Sequence, residues 1–135
     1  MKTKAVLTVE DVDTILKGAR AEALANNWAV TIAVVDDGGH PLGMIRLDGC
    51  PQMSAYIGTE KARTAALGRR ETKIFEDMVN GGRMSFLSAP VLQGLLEGGV
   101  PVIVDGDVIG AVGVSGVKSI EDAQIAKAGI AALLG

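Results

Sequence analysis

Apolar residues follow a helical period at the start of the chain and then change to short runs of strand type. Thr8 and Asp11 suit a helix N-cap and its third position, and the apolar side chains that follow predict a helix over Val9–Ala25. The β-branched run Val30–Val35 ends in two aspartates and two glycines, and Pro41–Leu47 can return as its antiparallel partner. This part of the chain therefore predicts one helix followed by a tight hairpin.

The rest of the chain continues with helical and strand-type segments. Gln52–Gly68 and Thr72–Val79 have apolar residues at helical spacing and predict two helices, with Arg83–Pro90 as a loop after them. Three apolar runs within Val91–Ser115, separated by glycine turns, predict three short strands in a meander, and Ser119 can cap a last helix. The predicted order is α-β-β-α-α-β-β-β-α, and its short strand connections require antiparallel pairing. We therefore predict an α+β fold with a five-stranded antiparallel sheet flanked by helices.

Composition narrows the class of protein. The 135 residues suit a single domain over 1–135, and 48% hydrophobic with 3% aromatic residues requires a core of aliphatic and small side chains. The surplus of apolar surface favours a homo-oligomer. A net charge of −3 without an extended basic face argues against a nucleic-acid partner, and no apolar run is long enough for a membrane. The start of the chain lacks the pattern of a signal peptide, so we expect a cytoplasmic protein.

Few residues can carry chemistry, because the chain has one histidine and one cysteine, too few for a structural zinc site. His40 follows the glycine turn of the first hairpin, where it is either a polar turn residue or a general base or haem ligand. Arg46 lies on the returning strand near Asp48, and the two form either a hairpin salt bridge or part of a clamp for a carboxylate. Cys50 is interpreted as a small buried hydrophobe.

A second candidate group lies on the predicted helix after the hairpin. Glu60, Lys61 and Arg63 occupy about one turn among apolar neighbours, so they form either an exposed face with local ion pairs or a proton-transfer site. The glycine-rich segment Gly110–Gly116 lacks the spacing of a Walker loop and is favoured as a strand that another element approaches closely. Ser115 does not fit the nucleophile elbow, because a glycine follows it directly.

Three segments together resemble the GlcG/HbpS-like family, which includes the C-terminal domain of PduO-type proteins and is described as haem-binding or haem-degrading. The segments are Val34–Gly49, Thr59–Ala65 and Gly98–Gly116. The resemblance implies a profilin-like fold, assembly of this chain with itself from dimer to octamer, and haem or a related tetrapyrrole as the candidate cofactor. The family positions are matched by His40, Arg46, Asp48, Lys61, Thr64 and Thr72. The sequence departs from the family at Glu71, where a proline is usual, and at Ala123, where a glutamate usually follows the aspartate.

Three functions compete at this point. The first is a small ligand-binding protein in which His40 ligates haem iron, and its candidate ligand-binding residues are His40, Arg46, Lys61, Arg63, Thr64, Thr72 and Ser115. The second is a cofactor-independent enzyme for a small organic acid or aldehyde in a catabolic pathway, with His40, Glu60 and Lys61 as its candidate catalytic residues. The third is a non-catalytic accessory protein of a catabolic operon. In each ligand-binding case the pocket is expected where the first hairpin, the Glu60–Thr64 turn and the Gly110–Ser115 strand meet.

Overall fold

The computed structural model describes residues 1–135 and contains four α-helices around a four-stranded sheet. The sheet is antiparallel throughout, with strand order β2-β1-β4-β3, so β2 and β3 form its edges. No helix combines the length and the apolar character needed to cross a bilayer. The elements are α1 (Val9–Ala25), β1 (Thr31–Asp36), β2 (Pro41–Arg46), α2 (Met53–Gly68), α3 (Thr72–Asn80), a 3-10 helix (Met84–Ser88), β3 (Gly99–Val104), β4 (Asp107–Ser115) and α4 (Ser119–Leu134).

The prediction of a fifth strand is wrong, because the first apolar run of the supposed meander is not extended. Val91 has a φ of +60°, in the left-handed region that ends a strand. The leucines that follow line a groove against α3, and the N–H of Gly94 donates to the Thr64 hydroxyl at 3.0 Å. The run therefore packs as an irregular segment along the helices. The predicted loop before it contains the 3-10 helix, and α4 starts at Ser119, which is thus not its N-cap.

The sheet separates two hydrophobic layers of different character. Alternation along β1 sends Ile32 and Val34 toward α1 and α4, where they join a cluster of 15 buried residues. Ala33 and Val35 face α2 and belong to a second cluster of 6 residues, five of which are alanine. Aliphatic side chains thus fill one layer, while small side chains bring α2 close to the sheet on the other.

The glycine-rich β4 allows this close approach of α2. A Cβ atom at Gly113 would lie 2.0 Å from the carbonyl oxygen of Gly58 and 2.3 Å from the amide nitrogen of Ala62. Backbone of α2 therefore occupies the space where a side chain of β4 would otherwise stand. The interpretation of this motif as a closely packed strand is confirmed, and the contact leaves no room for a ligand between α2 and the middle of β4.

Local capping explains the first helix, whose predicted limits Val9–Ala25 are confirmed. Thr8 and Asp11 form a capping box: the Asp11 N–H donates to the Thr8 hydroxyl, and the Thr8 N–H donates to the Asp11 carboxylate. These hydrogen bonds lower the pKa of Asp11.

Candidate functional site

The turn of the first hairpin orients the only histidine. Asp36 Oδ1 accepts hydrogen bonds from the N–H groups of Gly38 and His40, both at 2.9 Å, and lies 3.1 Å from His40 Nδ1. Because a carboxylate only accepts, Nδ1 carries the hydrogen in this contact and Nε2 of the neutral ring keeps a lone pair. A Cβ atom at Gly38 would lie 2.7 Å from His40 Cε1, so glycine is needed for the ring to fold over the turn. The imidazole is held by one nitrogen, and its side chain remains 79% exposed.

A cavity of about 310 Å³ lies between this turn and α2. Its wall contains Gly39 and His40 from the turn and Thr59, Glu60 and Arg63 from the helix, and no hydrophobic residue lines it. Glu60 Oε1 lies 3.6 Å from Arg63 Nη1, while Glu60 Oε2 is buried without any hydrogen-bond partner. The cavity thus combines an imidazole and a carboxylate, which can exchange protons with a small molecule, and a guanidinium, which can bind an anion.

An open apolar strip continues from this cavity along the edge strand β2. Gly43 packs against α1, so the alternate residues Leu42, Met44 and Arg46 lie on the α2 side of the sheet. The Thr59 hydroxyl lies 3.7 Å from Met44 Sδ, which places the strip beside the helix. Leu42 and Met44 are 42% and 53% exposed, because α2 covers the other three strands and leaves β2 bare.

Lys61 lies on another face of α2 and is sealed inside the protein. Its side chain is 3% exposed, and Nζ donates to the Val114 carbonyl at 2.9 Å and to Asp122 Oδ2 at 3.0 Å. Asp122 also accepts from the Val117 N–H at 3.2 Å, so the pair joins α2, β4 and the start of α4. Burial raises the pKa of the Asp122 carboxyl, and the Lys61 ammonium opposes that rise. Both charges are therefore engaged inside the protein, and neither side chain lines a cavity.

Thr64 and Thr72 are also fully buried and have backbone partners. The Thr64 hydroxyl accepts from Gly94, and Thr72 Oγ1 accepts from the Gly99 N–H at 2.8 Å. Both threonines fix the chain between α3 and β3. Ser115 is 7% exposed and pairs with Thr31 across β1 and β4.

The predicted site residues therefore divide into two groups. The structure brings His40, Glu60 and Arg63 to one cavity, with Arg46 at the far end of the adjoining strip, but places Lys61, Thr64 and Thr72 in the interior. The Glu60–Thr64 turn contacts both the hairpin turn and the glycine-rich strand, as predicted, but no residue of that strand lines the cavity. An enzyme built on His40, Glu60 and Lys61 together has no common cavity here.

Sequence reasoning missed several contacts of the site. The contact between Asp36 and His40 was not predicted, and Arg46 makes no salt bridge with Asp48 or any other carboxylate. Thr59 was not singled out. The i,i+4 spacing of Asp36 and His40 across a glycine pair is the signal that could have identified the imidazole contact. Lys61 between Gly58 and Ala65 similarly indicates a lysine on a buried helix face.

Two further arginines near the end of α2, Arg69 and Arg70, lie away from this cavity. The Arg70 guanidinium stands over the Phe75 ring at 5.5 Å, and Arg69 lines a groove with Lys4 and Asp37. The chain has no group of three or more His, Cys, Asp or Glu side chains arranged for a metal ion.

Known proteins resemble the chain along most of its length. The family model described as haem-degrading protein HbpS-like matches residues 7–131. Protein GlcG of Escherichia coli strain K12 is 59% identical over 115 residues, which cover 85% of both chains. A double mutant of HbpS from Streptomyces reticuli has a TM-score of 0.89 at 28% identity, covering 98% of this chain and 90% of that one. A haem complex of PduOC has a TM-score of 0.83 at 28% identity, covering 95% of each chain.

The family match is supported by both sequence and fold. The matched region includes the hairpin with His40, all of α2 and the glycine-rich strand. These are the segments on which the sequence resemblance rested, and that resemblance is confirmed. This chain belongs to the HbpS-like family.

Proposed function

We propose that the protein binds haem or a related tetrapyrrole as a homo-oligomer, with His40 as the axial ligand of the iron. The observation that carries this proposal is the contact of His40 Nδ1 with the Asp36 carboxylate, which leaves Nε2 free on an exposed ring. Histidines that ligate metals commonly donate their other ring N–H to a carboxylate, which fixes the ring and increases its basicity.

The surroundings of His40 fit a flat ligand with an anionic edge. Leu42 and Met44 offer an exposed apolar surface beside the imidazole. The cavity of about 310 Å³ is small for a macrocycle, which therefore fits along the strip and not inside the cavity. Arg63 and Arg46 border the strip and can pair with propionate groups. When bound, haem iron supplies redox and ligand-binding chemistry. The chain supplies an axial ligand, orients the macrocycle and shields part of it from solvent.

A second copy of the chain would complete such a site. One copy leaves Leu42, Met44 and Tyr56 on the surface, with Tyr56 79% exposed. Sites for small ligands and cofactors usually bury most of the ligand surface, so one open strip is too little cover for a macrocycle. The PduOC haem complex, which shares this fold, supports the choice of ligand.

Titration of the protein with haemin, followed by the Soret band, tests the proposal. The wild type is expected to bind with a shifted Soret maximum, His40→Ala to lose that shift, and Asp36→Asn to weaken binding because the ring loses its carboxylate partner. Asp37→Asn is the matched control, since the Asp37 carboxylate pairs with Lys4 and not with the imidazole. Haemin binding by His40→Ala with an unchanged spectrum would refute His40 ligation.

A further inference from the structure

The cavity between the hairpin turn and α2 contains a carboxylate oxygen that lacks a partner. Glu60 Oε2 is the only buried side-chain nitrogen or oxygen of the chain without a hydrogen bond. Leaving a buried charged acceptor without a donor is destabilising, so native structures almost always supply one. Glu60 lines the cavity, and its side chain is 27% exposed. The missing donor can therefore come from a molecule in the cavity.

Arg63 places a positively charged hydrogen-bond donor in the same cavity wall as the Glu60 carboxylate. Its guanidinium has five N–H donors, and its one charged neighbour, Glu60 Oε1, is 3.6 Å away, beyond an ordinary hydrogen bond. The stem of Arg63 packs on Gly39, whose φ is +77°, and a Cβ atom at Gly39 would lie 2.8 Å from Arg63 Cγ. The turn thus fixes the arginine beside the cavity while its donors stay open to an anion.

We propose that this cavity binds a small organic acid that carries a hydrogen-bond donor on the carbon next to its carboxylate. The carboxylate accepts from the Arg63 guanidinium, and the neighbouring hydroxyl or ammonium group donates to Glu60. The terminal torsion of a glutamate is broad, so a small rotation brings the unpartnered oxygen to the ligand. A volume of about 310 Å³ limits the ligand to a compact molecule, and the carboxylate and guanidinium in the wall favour one that carries both a donor and an anionic group. Neither group ligates iron, so the inference does not depend on haem binding.

Calorimetric titration of the haem-free protein with L-lactate, L-alanine and propionate tests the inference. The three acids differ in the group beside the carboxylate, which is a hydroxyl, an ammonium or no donor. Lactate or alanine is expected to bind at least about tenfold more tightly than propionate, because a hydrogen bond to a charged acceptor is lost with propionate. The stronger of the two identifies the ligand as a hydroxy acid or an amino acid.

Variants test separately the contact of the ligand's donor with Glu60 and the contact of its carboxylate with Arg63. Glu60→Gln should reduce the preference over propionate, and Arg63→Gln should weaken all three acids. Lys73→Gln, which removes an exposed ion pair on α3, is the matched control and should change nothing. Amide NMR shifts of Gly39 and Glu60 in the wild type give a second readout that needs no variant. Equal affinity for propionate, no binding of lactate and alanine, or shifts elsewhere in the chain would each overturn the inference.

Discussion

Glu60 and Lys61 are neighbours in the sequence and have opposite environments. Lys61 is 3% exposed, and its ammonium has both an anionic and a carbonyl partner. Glu60 has one carboxylate oxygen without a hydrogen-bond donor, and it lines a cavity beside an exposed imidazole. One residue along a helix is a rotation of about 100°. That rotation is enough to turn one charge into the interior and the other toward a cavity.

The difference separates a structural charge from a candidate functional one. Buried charges are tolerated when every hydrogen-bonding position is filled, and removing one partner leaves the other destabilised. A charge whose partner is missing has a cost in the free protein that a ligand can relieve. The Lys61–Asp122 pair belongs to the first class, and Glu60, whose Oε2 has no donor although Oε1 lies near Arg63, belongs to the second.

The largest expected change in stability comes from replacing Lys61. Lys61→Met should lower the free energy of unfolding by about 3–5 kcal/mol, since it leaves the Asp122 carboxylate buried without its cation. The measurement is urea unfolding followed by far-UV circular dichroism. The double variant Lys61→Met with Asp122→Asn removes both charges and keeps an oxygen for the Val117 N–H, so it should regain most of the loss. If the double variant loses as much unfolding free energy as the two single variants together, the two side chains do not interact as described.

A smaller loss of stability is expected when a Cβ atom is added in the hairpin turn. Gly39→Ala should lower stability by about 1–2 kcal/mol, because its φ of +77° disfavours a residue with a Cβ atom, and it should also displace Arg63. Gly106→Ala is the matched control, with a φ of +81° and nothing within 4 Å of an added Cβ atom. Both variants should unfold at similarly reduced temperatures in calorimetry, but only Gly39→Ala should weaken haemin or small-acid binding. Equal binding by both would show that the turn does not position the site.

The smallest change in stability is expected for Glu60→Gln, which contrasts Glu60 with its neighbour Lys61. Glu60→Gln removes a charge with an unpartnered buried oxygen, so its free energy of unfolding should be unchanged or higher by up to about 1 kcal/mol. Thermal unfolding of this variant beside Lys61→Met measures the contrast. A destabilisation of Glu60→Gln close to that of Lys61→Met would mean that Glu60 is structural as well.

Local signals in the sequence predicted most elements but not every strand. The Thr8–Asp11 capping box sets the start of α1, and the glycine pair before His40 sets the first hairpin, because both depend on residues a few positions apart. The run after Pro90 is apolar enough for a strand, yet its contacts with α2 and α3 make it irregular. Those contacts are tertiary, so periodicity alone could not predict them.

The candidate site was predicted in part for the same reason. His40, Glu60 and Arg63 have side chains whose chemistry is visible in the sequence, and the structure places all three at one cavity. Whether Lys61 joins them depends on which face of α2 meets the sheet. That face is set by the small residues of β4, such as Gly113, which lies more than 50 positions away.

A crystal structure of the protein grown with haemin tests the central claim, that the exposed hairpin turn and not the Lys61 interior is the functional site. We predict an iron bound to His40 Nε2, with Asp36 still at Nδ1, the macrocycle along Leu42 and Met44, and a second copy of the chain over it. Iron ligated by another side chain would contradict this account. So would a haem seated in the apolar groove of about 430 Å³ that Val79 and Leu92 help to line.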